Sequence, residues 1–301
     1  MKFLSFIIMV VCAFYMSITS AAEVAITMDD PNCGSAAFFS LDERDQRILT
    51  ALMKNHVQAA FFVVGNCVDN KEGKKFLQRW DRQGILLGNH TYSHKSINGL
   101  SEEQYQADTL KNEKLLHAYS HYKNIFRFPY LKEGDTQVKR DSFRNFLHQH
   151  HYESAAVTID ASDWYISSRL ETRLLENPAA DIQPYKKYYL DHIWDRAQYY
   201  DALARKVIGR TPKHTLLVHH NLLNTLFLDD LIQMFRDKGW NVIDADEAFK
   251  DPIFKQTPDI IPAGESLIWG LAKETHLYDD QLRYPGEDEF YEKEAMDKLG
   301  L

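Results

Sequence analysis

Short apolar runs alternate with amphipathic segments along most of the chain. The runs have the length and composition of buried strands, and they occupy residues 24–28, 59–64, 85–87, 155–159, 215–218 and 240–243. Between them the apolar residues recur at helical spacing. This spacing predicts a helix after Ser40 with Ile48, Leu49, Leu52 and Met53 on one face, and further helices near 71–83, 101–122, 185–208 and 228–238. This alternation predicts a mainly parallel sheet with helices outside it, either an open doubly wound sheet or a closed or partly closed barrel.

The two ends of the chain differ from this pattern. Lys2 is followed by an uncharged, mostly apolar run from Phe3 to Ala22, with small residues just before Glu23. Residues 1–22 therefore read as a signal peptide, and an uncleaved membrane anchor is the alternative. Residues 251–301 are polar and rich in proline, which predicts a C-terminal extension packed on the main domain (23–250) or partly irregular.

Charge and cysteine content narrow the functional classes. The net charge of −8 argues against a nucleic-acid phosphate backbone as partner. We expect an exported protein, periplasmic or secreted, with no stable membrane insertion after cleavage. Cys12 would leave with the leader, whereas Cys33 and Cys67 would remain. In an oxidising compartment these two either pair or stay independent buried thiols, and the sequence leaves both options open.

Polar clusters follow successive predicted strands, where parallel α/β folds place their functional sites. They are Asp29-Asp30, the stretch GNHTYSH with His90 and His94, the stretch RFPY (127–130), the stretch DASDW (160–164), and His219. Each cluster alone has a plain structural explanation, such as a turn or a buried histidine. Because all five fall at the same end of their strands, a shared site is the better interpretation.

Chemistry supplies a joint role for these residues. One carboxylate and two histidines four apart can hold a divalent metal, provided that the segment between the histidines is helical or turned. A second carboxylate could then act as a base toward the metal-bound water, and a further histidine could protonate a leaving group. An arginine could hold that base in its ionised form.

The motifs TMDD, HTYSH, RFPY, DASDW and LLVH, in this order, resemble the five motifs of NodB-type polysaccharide deacetylases, the fourth carbohydrate esterase family. The resemblance covers about residues 24–250 and implies an α/β fold, a distorted (β/α) barrel. It also implies a divalent metal, most often Zn²⁺, and an N-acetylated glycan as the substrate. By this resemblance, the metal ligands are Asp30, His90 and His94.

The resemblance implies the remaining roles as well. Asp29 would be the catalytic base, and Arg127 would keep it charged. His219 would be the general acid, held protonated by Asp163, with Asp160 as the competing candidate for that task. The substrate-binding groups would be the backbone N–H of Tyr130, which would stabilise the oxyanion, and Trp164, which would form the wall of the acetyl pocket.

Some positions depart from the family pattern. Pro31 follows Asp30 directly where a glycine usually stands, and His220-Asn221 replace the acidic residue that commonly follows the acid histidine. Adjacent strand residues point to opposite faces, so only one of His219 and His220 can reach the metal. The resemblance favours His219, because Leu216 and His219 meet the family's L-x-x-H pattern.

The expected function is therefore the metal-dependent removal of N-acetyl groups from an amino-sugar glycan of the chitin oligosaccharide or peptidoglycan type. Two alternatives remain open. One is hydrolysis of an acetyl ester or of a small amide or imide on the same scaffold. The other is a catalytically silent glycan-binding protein.

Overall fold

The fold was obtained as a computed structural model, which describes residues 21–34 and 38–301. The predicted signal peptide, residues 1–22, lies almost wholly outside the described residues. The strands are β1 (Glu23–Asp29), β2 (Ala60–Val63), β3 (Leu86–Asn89), β4 (Tyr122–Phe126), β5 (Lys132–Gly134), β6 (Glu153–Ser154), β7 (Lys213–His219), β8 (Asn241–Val242) and β9 (Ala263–Gly264).

Helices connect most of these strands. They are α1 (Leu41–Lys54), α2 (Gly65–Val68), α3 (Lys71–Arg82), α4 (Glu102–Leu116), α5 (Gln137–Gln149), α6 (Asp163–Glu176), α7 (Gln183–Ile208), α8 (Leu222–Asp237), α9 (Ala245–Ala248), α10 (Leu267–Thr275) and α11 (Glu289–Leu299). Side chains cap several of them, as at Ser40 before α1 and in the Ser101–Gln104 capping box of α4.

The main sheet is parallel, with the order β6-β4-β3-β2-β1-β7, and β8 also pairs with β1. It curls into a distorted half-barrel, and a single bridge from Ile159 to Leu216 joins the chain after β6 to β7. The short antiparallel pair β5–β9 lies apart from it. The expected α/β fold with a distorted barrel is confirmed.

Alternating residues of β1 face two different environments. Val24, Ile26 and Met28 belong to the large core between the sheet and the outer helices. Ala25 belongs to a small cluster rich in alanine inside the curled sheet. Because side chains alternate along a strand, Asp29 falls on the same inner face as Ala25.

The predicted strand at 155–159 is wrong over most of its length. Pairing with β4 ends with the short strand β6, and only Ile159 makes a bridge to β7. In between, side chains replace part of the backbone ladder. Thr158 donates from its hydroxyl to the Thr215 carbonyl (3.2 Å), and Thr215 donates from its hydroxyl to the Ala156 carbonyl (3.0 Å). A run of apolar residues in the sequence does not reveal such hydrogen bonds from side chains.

The boundaries of two helices also differ from the prediction. Helix α4 ends at Leu116, so that residues 122–126 are free to form β4. Helix α8 begins at Leu222, well before residue 228, because the side chain of Asn221 accepts a hydrogen bond from the Asn224 N–H and caps the helix.

The segment after residue 250 packs against the main domain. Trp269 and Ala272 of α10 are buried in the large core. The Leu267 N–H donates to the Val157 carbonyl at 2.7 Å, which ties the start of α10 to the chain between β6 and β7. Within residues 21–34 and 38–301, no helix combines the length and the apolar character needed to cross a membrane.

Candidate active site

A cavity of about 470 Å³ opens at the carboxyl end of the parallel strands. Its lining includes every residue expected at the metal and the acid, together with a contribution from the C-terminal extension. The lining residues are Asp29, Asp30, His90, His94, Tyr130, Leu131, Lys132, Asp160, Ala161, Trp164, Leu217, His219, Glu265, Pro285, Glu287 and Asp288. The polar clusters that follow separate strands therefore converge on one site.

Asp30, His90 and His94 form a group whose candidate ligand atoms all lie within 4.8 Å of one another. Nε2 of His94 lies 3.4 Å from Oδ1 of Asp30, and Nε2 of His90 lies 3.8 Å from the same oxygen. That oxygen is buried and has no hydrogen-bond partner. A buried carboxylate oxygen without a partner is costly unless a ligand compensates it, so this arrangement fits a divalent metal.

Both histidines are prepared for ligation. Nδ1 of His90 lies 2.7 Å from the Arg127 carbonyl, to which it donates, so its Nε2 keeps a free lone pair toward Asp30. Burial, helped by the neighbouring His90, lowers the pKa of His94 to about 4, so that ring is neutral at neutral pH. Neutral imidazole is the form that binds metals.

The loop that carries the two histidines is turned rather than helical. Thr91 and His94 both have positive φ angles, of 62° and 55°. The fully buried Asn89 holds the loop, because its Oδ1 accepts the Thr91 N–H at 2.9 Å and an Asn112 amide hydrogen at 2.9 Å. Asn89 was not among the predicted site residues, although it stands directly before His90 in the stretch GNHTYSH.

Asp29 is a buried carboxylate of the site, 3% exposed. Its Oδ1 accepts a hydrogen bond from Nη1 of Arg127 at 2.8 Å, and its Oδ2 lies 3.6 Å from Nε2 of His90. Burial alone would raise the pKa of Asp29, but the Arg127 guanidinium and then the nearby His90 and His219 outweigh it and lower the pKa. Asp29 is therefore ionised at neutral pH.

Arg127 is held rigidly at the end of β4. It is 1% exposed, it donates to Oγ1 of Thr27 at 2.8 Å and to the Ala155 carbonyl at 2.9 Å, and its guanidinium lies 3.9 Å from the Phe62 ring centroid. These contacts fix the charged group against Asp29.

His219 lies next to Asp29 on the neighbouring strand, since the two residues are paired in the register of β1 and β7. His220, the next residue, is fully buried on the opposite side near Asp45 and Phe61. The alternation of side chains along β7 thus brings His219, and not His220, to the cavity.

Asp163 holds His219 through two contacts. Nδ1 of His219 donates to Oδ1 of Asp163 at 2.7 Å, and the His219 N–H donates to Oδ2 at 2.8 Å. Oδ2 also accepts from the side-chain amides of Asn221 (2.9 Å) and Asn224 (3.0 Å). Burial alone would lower the pKa of His219, but the charge and hydrogen bond of Asp163 raise it to about 9.

Asp160, the competing partner for His219, takes a different position. Its Oδ1 accepts the Ala161 N–H at 2.9 Å. Burial, and then the negative charges of Glu287 and Glu265, raise the pKa of Asp160 well above its ordinary value. The structure therefore pairs His219 with Asp163.

Two aromatic residues lie at the mouth of the cavity. Tyr130 is 59% exposed and has a positive φ of 59°, and its ring centroid is 4.6 Å from that of His94. Trp164 is 40% exposed and stands on the first turn of α6 beside Asp163. Both line the cavity.

A disulfide joins Cys33 to Cys67, with 5.2 Å between the two Cα atoms. It ties the loop that follows Asp30 to helix α2. The Cys33 N–H also donates to the Asp30 backbone carbonyl at 3.0 Å. Asp30 is therefore the first residue of a hydrogen-bonded turn. The sequence left the pairing of these cysteines open.

A second cluster of possible ligands is formed by His192, Glu287 and Glu292, of which Glu287 also lines the cavity. Hydrogen bonds account for it. Nε2 of His192 accepts the Ser162 N–H at 3.0 Å, and Nδ1 lies 3.3 Å from Oε2 of Glu292. Since both ring nitrogens are occupied, His192 has no free lone pair to offer a metal.

Comparison with known proteins agrees with this geometry. The family model for polysaccharide deacetylases matches residues 17–152. The chain is 30% identical over 144 residues to a peptidoglycan N-acetylglucosamine deacetylase of Bacillus cereus. Residues 17–152 therefore match a polysaccharide deacetylase domain. This confirms the resemblance predicted from the five motifs. The alignment covers 48% of the chain and 46% of that relative, less than half the length of either.

Solved structures support the fold. A pseudoenzyme of carbohydrate esterase family 4 from Bacillus anthracis superposes with a TM-score of 0.52 at 20% identity, covering 76% of this chain and 66% of that one. A peptidoglycan N-acetylglucosamine deacetylase gives a TM-score of 0.52 at 21% identity, with 76% and 89% coverage. At these identities the likeness concerns the fold alone, and one of the two proteins is described as a pseudoenzyme.

Proposed function

We propose that the protein is an exported, metal-dependent hydrolase that removes N-acetyl groups from an amino-sugar glycan of the chitin oligosaccharide or peptidoglycan type. The observation that carries this proposal is the convergence of a ligand triad with two charged pairs in one cavity. The triad is Asp30, His90 and His94. The pairs are Asp29–Arg127 and Asp163–His219.

The triad fits a divalent ion, and Zn²⁺ best matches its mixture of nitrogen and oxygen ligands. The unpartnered Oδ1 of Asp30 and the neutral ring of His94 support this assignment. When bound, such an ion would polarise the acetyl carbonyl and acidify a water molecule.

Asp29 is the proposed base. It is ionised, enclosed and fixed by Arg127, so it can accept the proton of the water that attacks the acetyl carbon. The lowered pKa favours the deprotonated state before the attack. The Arg127 contact also limits rotation of the carboxylate.

His219 is the proposed acid. With Nδ1 donating to Asp163, the other ring nitrogen, Nε2, is left to carry the proton that the departing amine requires. The pKa of about 9 keeps the ring protonated at neutral pH. Asp163 accepts hydrogen bonds from the side-chain amides of Asn221 and Asn224, and it lies in the first turn of α6, where a negative charge is stabilised.

Tyr130 and Trp164 are the proposed substrate-binding residues. The backbone N–H of Tyr130 would donate to the oxyanion that forms on the acetyl oxygen, and the positive φ of this residue sets the direction of that N–H. Trp164 would wall the pocket for the acetyl methyl group, since its exposed ring lines the cavity.

The alternatives differ in substrate or in activity. An acetyl ester, or a small amide or imide, requires the same metal, base and acid. A silent glycan-binding protein requires none of them, so the enclosed Asp29–Arg127 and Asp163–His219 pairs favour catalysis. Export rests on the apolar leader, residues 1–22, and on the disulfide, which is typical of oxidising compartments.

Zinc titration by calorimetry, combined with acetate release from N-acetylchitooligosaccharides, tests this proposal. We expect Asp30→Ala and His94→Ala to lose both metal binding and acetate release. Glu292→Gln is the matched control, because it alters the other histidine–carboxylate cluster, and it should retain both. Equal zinc affinity in all three variants would reject the assigned ligands.

A further inference from the structure

A strained turn at residues 130–131 lies at the edge of the catalytic cavity. Tyr130 and Leu131 have positive φ angles of 59° and 53°, and both residues line the cavity. Neither is a glycine, so each adopts a backbone conformation that is costly for a residue with a side chain. Such a conformation persists only where surrounding contacts hold it. The contacts around this turn therefore determine the direction of the Tyr130 N–H.

Strand β9 of the C-terminal extension supplies several of these contacts. Lys132, the residue after the turn, pairs with Gly264 in the antiparallel ladder of β5 and β9. The Glu265 N–H donates to the Leu131 carbonyl at 3.0 Å. The carboxylate of Glu265 accepts from Nζ of Lys132 at 2.8 Å and from the Gly286 N–H at 2.8 Å. Backbone and side-chain contacts thus join the turn to the extension.

Gly264 lies directly against the turn. Its φ angle of 129° is in the region that favours glycine. A Cβ atom added to this residue would stand 2.0 Å from the Leu131 carbonyl oxygen, and Cβ atoms do not approach other heavy atoms closer than 3.0 Å. Any side chain at this position would therefore force β9 and the Leu131 carbonyl roughly 1 Å apart.

The extension is anchored on its other side, away from the turn. Oγ of the fully buried Ser266 donates to the Thr158 carbonyl at 3.0 Å. The next residue, Leu267, donates from its N–H to the Val157 carbonyl at 2.7 Å. These two hydrogen bonds fix the position from which β9 contacts the turn.

We propose that the C-terminal extension positions the N–H of Tyr130 toward the oxyanion, and that Gly264 permits the close contact this requires. This inference rests on the proposed deacetylase function, in which that N–H donates to the acetyl oxygen. Gly264 is a positioning residue, because it contacts Leu131 and does not line the cavity. A displacement of about 1 Å weakens a donor that acts on an oxyanion at roughly 2.7–3.1 Å. The extension therefore contributes to catalysis through the position of one N–H group.

The test compares the steady-state kinetics of acetate release from fully N-acetylated chitotriose. Gly264→Ala should lower kcat by about a hundredfold, while KM and zinc affinity stay at their wild-type values. A chitotriose analogue in which a methylphosphonamidate replaces one acetamide mimics the tetrahedral oxyanion. Its affinity, measured by calorimetry, should fall by the same factor as kcat. A purely structural role would not lower these two quantities together while sparing KM and zinc binding.

Ser266→Ala tests the same contact without a clash at the turn. It removes the hydrogen bond to the Thr158 carbonyl and loosens the anchor of β9, so kcat should fall by about threefold or more at unchanged KM. If Gly264→Ala does not fold, this variant decides the question alone.

Gly239→Ala is the matched control for backbone strain. Gly239 also has a positive φ angle, of 81°, but a Cβ atom at this position would meet nothing within 4 Å. The substitution should lower stability through the backbone conformation and keep the wild-type kcat and KM.

Two results would overturn the positioning role and leave the deacetylase function standing. One is wild-type kcat in both Gly264→Ala and Ser266→Ala, with acetate released normally. The other is a raised KM at unchanged kcat, which would place the extension in substrate binding instead. No acetate from the wild-type protein while zinc is bound would reject the proposed function, and this inference with it.

Discussion

Replacing Asp163 with asparagine should disable the proposed acid without touching the metal ligands. Oδ2 of Asp163 accepts three donors and Oδ1 accepts the ring of His219. An asparagine can turn its oxygen toward only one of these sides. With its oxygen facing the three donors, its NH₂ would meet Nδ1 of His219 and force that nitrogen to be an acceptor. The ring would then be neutral and a far weaker acid.

The size of the effect follows from the pKa of His219. Asp163 helps to hold this pKa at about 9 against an ordinary value of 6.5. Losing that difference would remove roughly 3 kcal/mol of stabilisation from the protonated ring. We therefore expect kcat/KM to fall by about a hundredfold.

The pH profile of acetate release separates this mechanism from general damage. His219 acts in its protonated form, so wild-type activity should be present below a pH of about 9 and be lost as the pH rises through it. In Asp163→Asn the loss should begin well below that pH. The control is Asp201→Asn, which alters a buried pair with His214 at 3.4 Å, and it should leave the profile unchanged. If Asp163→Asn keeps wild-type kcat/KM and the same alkaline limb, His219 is not an acid controlled by Asp163.

Three other substitutions test separate parts of the account. Asp29→Asn should abolish acetate release while zinc still binds in calorimetry, because Asp29 is assigned as the base and not as a ligand. Loss of zinc binding with residual turnover would reverse that assignment. His219→Ala should lower turnover by about 10²–10⁴-fold. His220 is buried beside Asp45 on the other face of the sheet, so His220→Ala should lower stability and keep turnover. The opposite kinetic result would exchange the roles of the two histidines. Removing the Cys33–Cys67 disulfide, which spans 34 residues, should lower the free energy of unfolding in denaturant by roughly 2–4 kcal/mol, and an unchanged unfolding midpoint would show that it does not stabilise the fold.

The strands and the position of the site were predictable because they depend on local patterns. The apolar runs at 24–28 and 215–218 correspond to β1 and β7, and the polar residues that follow them meet at the carboxyl end of the sheet. The alternation of side chains limited the choice to one of His219 and His220, the family's L-x-x-H pattern favoured His219, and the structure brings His219 to the cavity. The catalytic roles of these residues remain predictions.

Long-range pairing was not predictable from the same patterns. The sequence allowed either Asp160 or Asp163 as the partner of His219, because both follow the same run. Two features of the structure favour Asp163. Helix α6 begins at this residue, and the side-chain amides of Asn221 and Asn224 donate hydrogen bonds to its carboxylate. Asn224 has no motif of its own, and its contact with Asp163 spans 61 residues.

The role of the C-terminal extension lies furthest from what the sequence indicated. Its proline-rich, polar composition predicted an appended or partly irregular segment, yet Glu265 and Glu287 line the cavity more than 100 residues after Asp160. No periodicity connects residues so far apart. Their proximity depends on α10 packing against α7 and on the contact between Leu267 and Val157.

Acetate release by the protein from Glu23 onward is the measurement that tests the central claim most directly. The substrates are chitooligosaccharides, peptidoglycan fragments and acetylated xylan, each assayed with added zinc and with a chelator. The account predicts acetate from an N-acetylated sugar, dependent on zinc and abolished by the chelator. Acetate from xylan alone, or no acetate from any substrate while the Asp30–His90–His94 centre holds a metal, would contradict it.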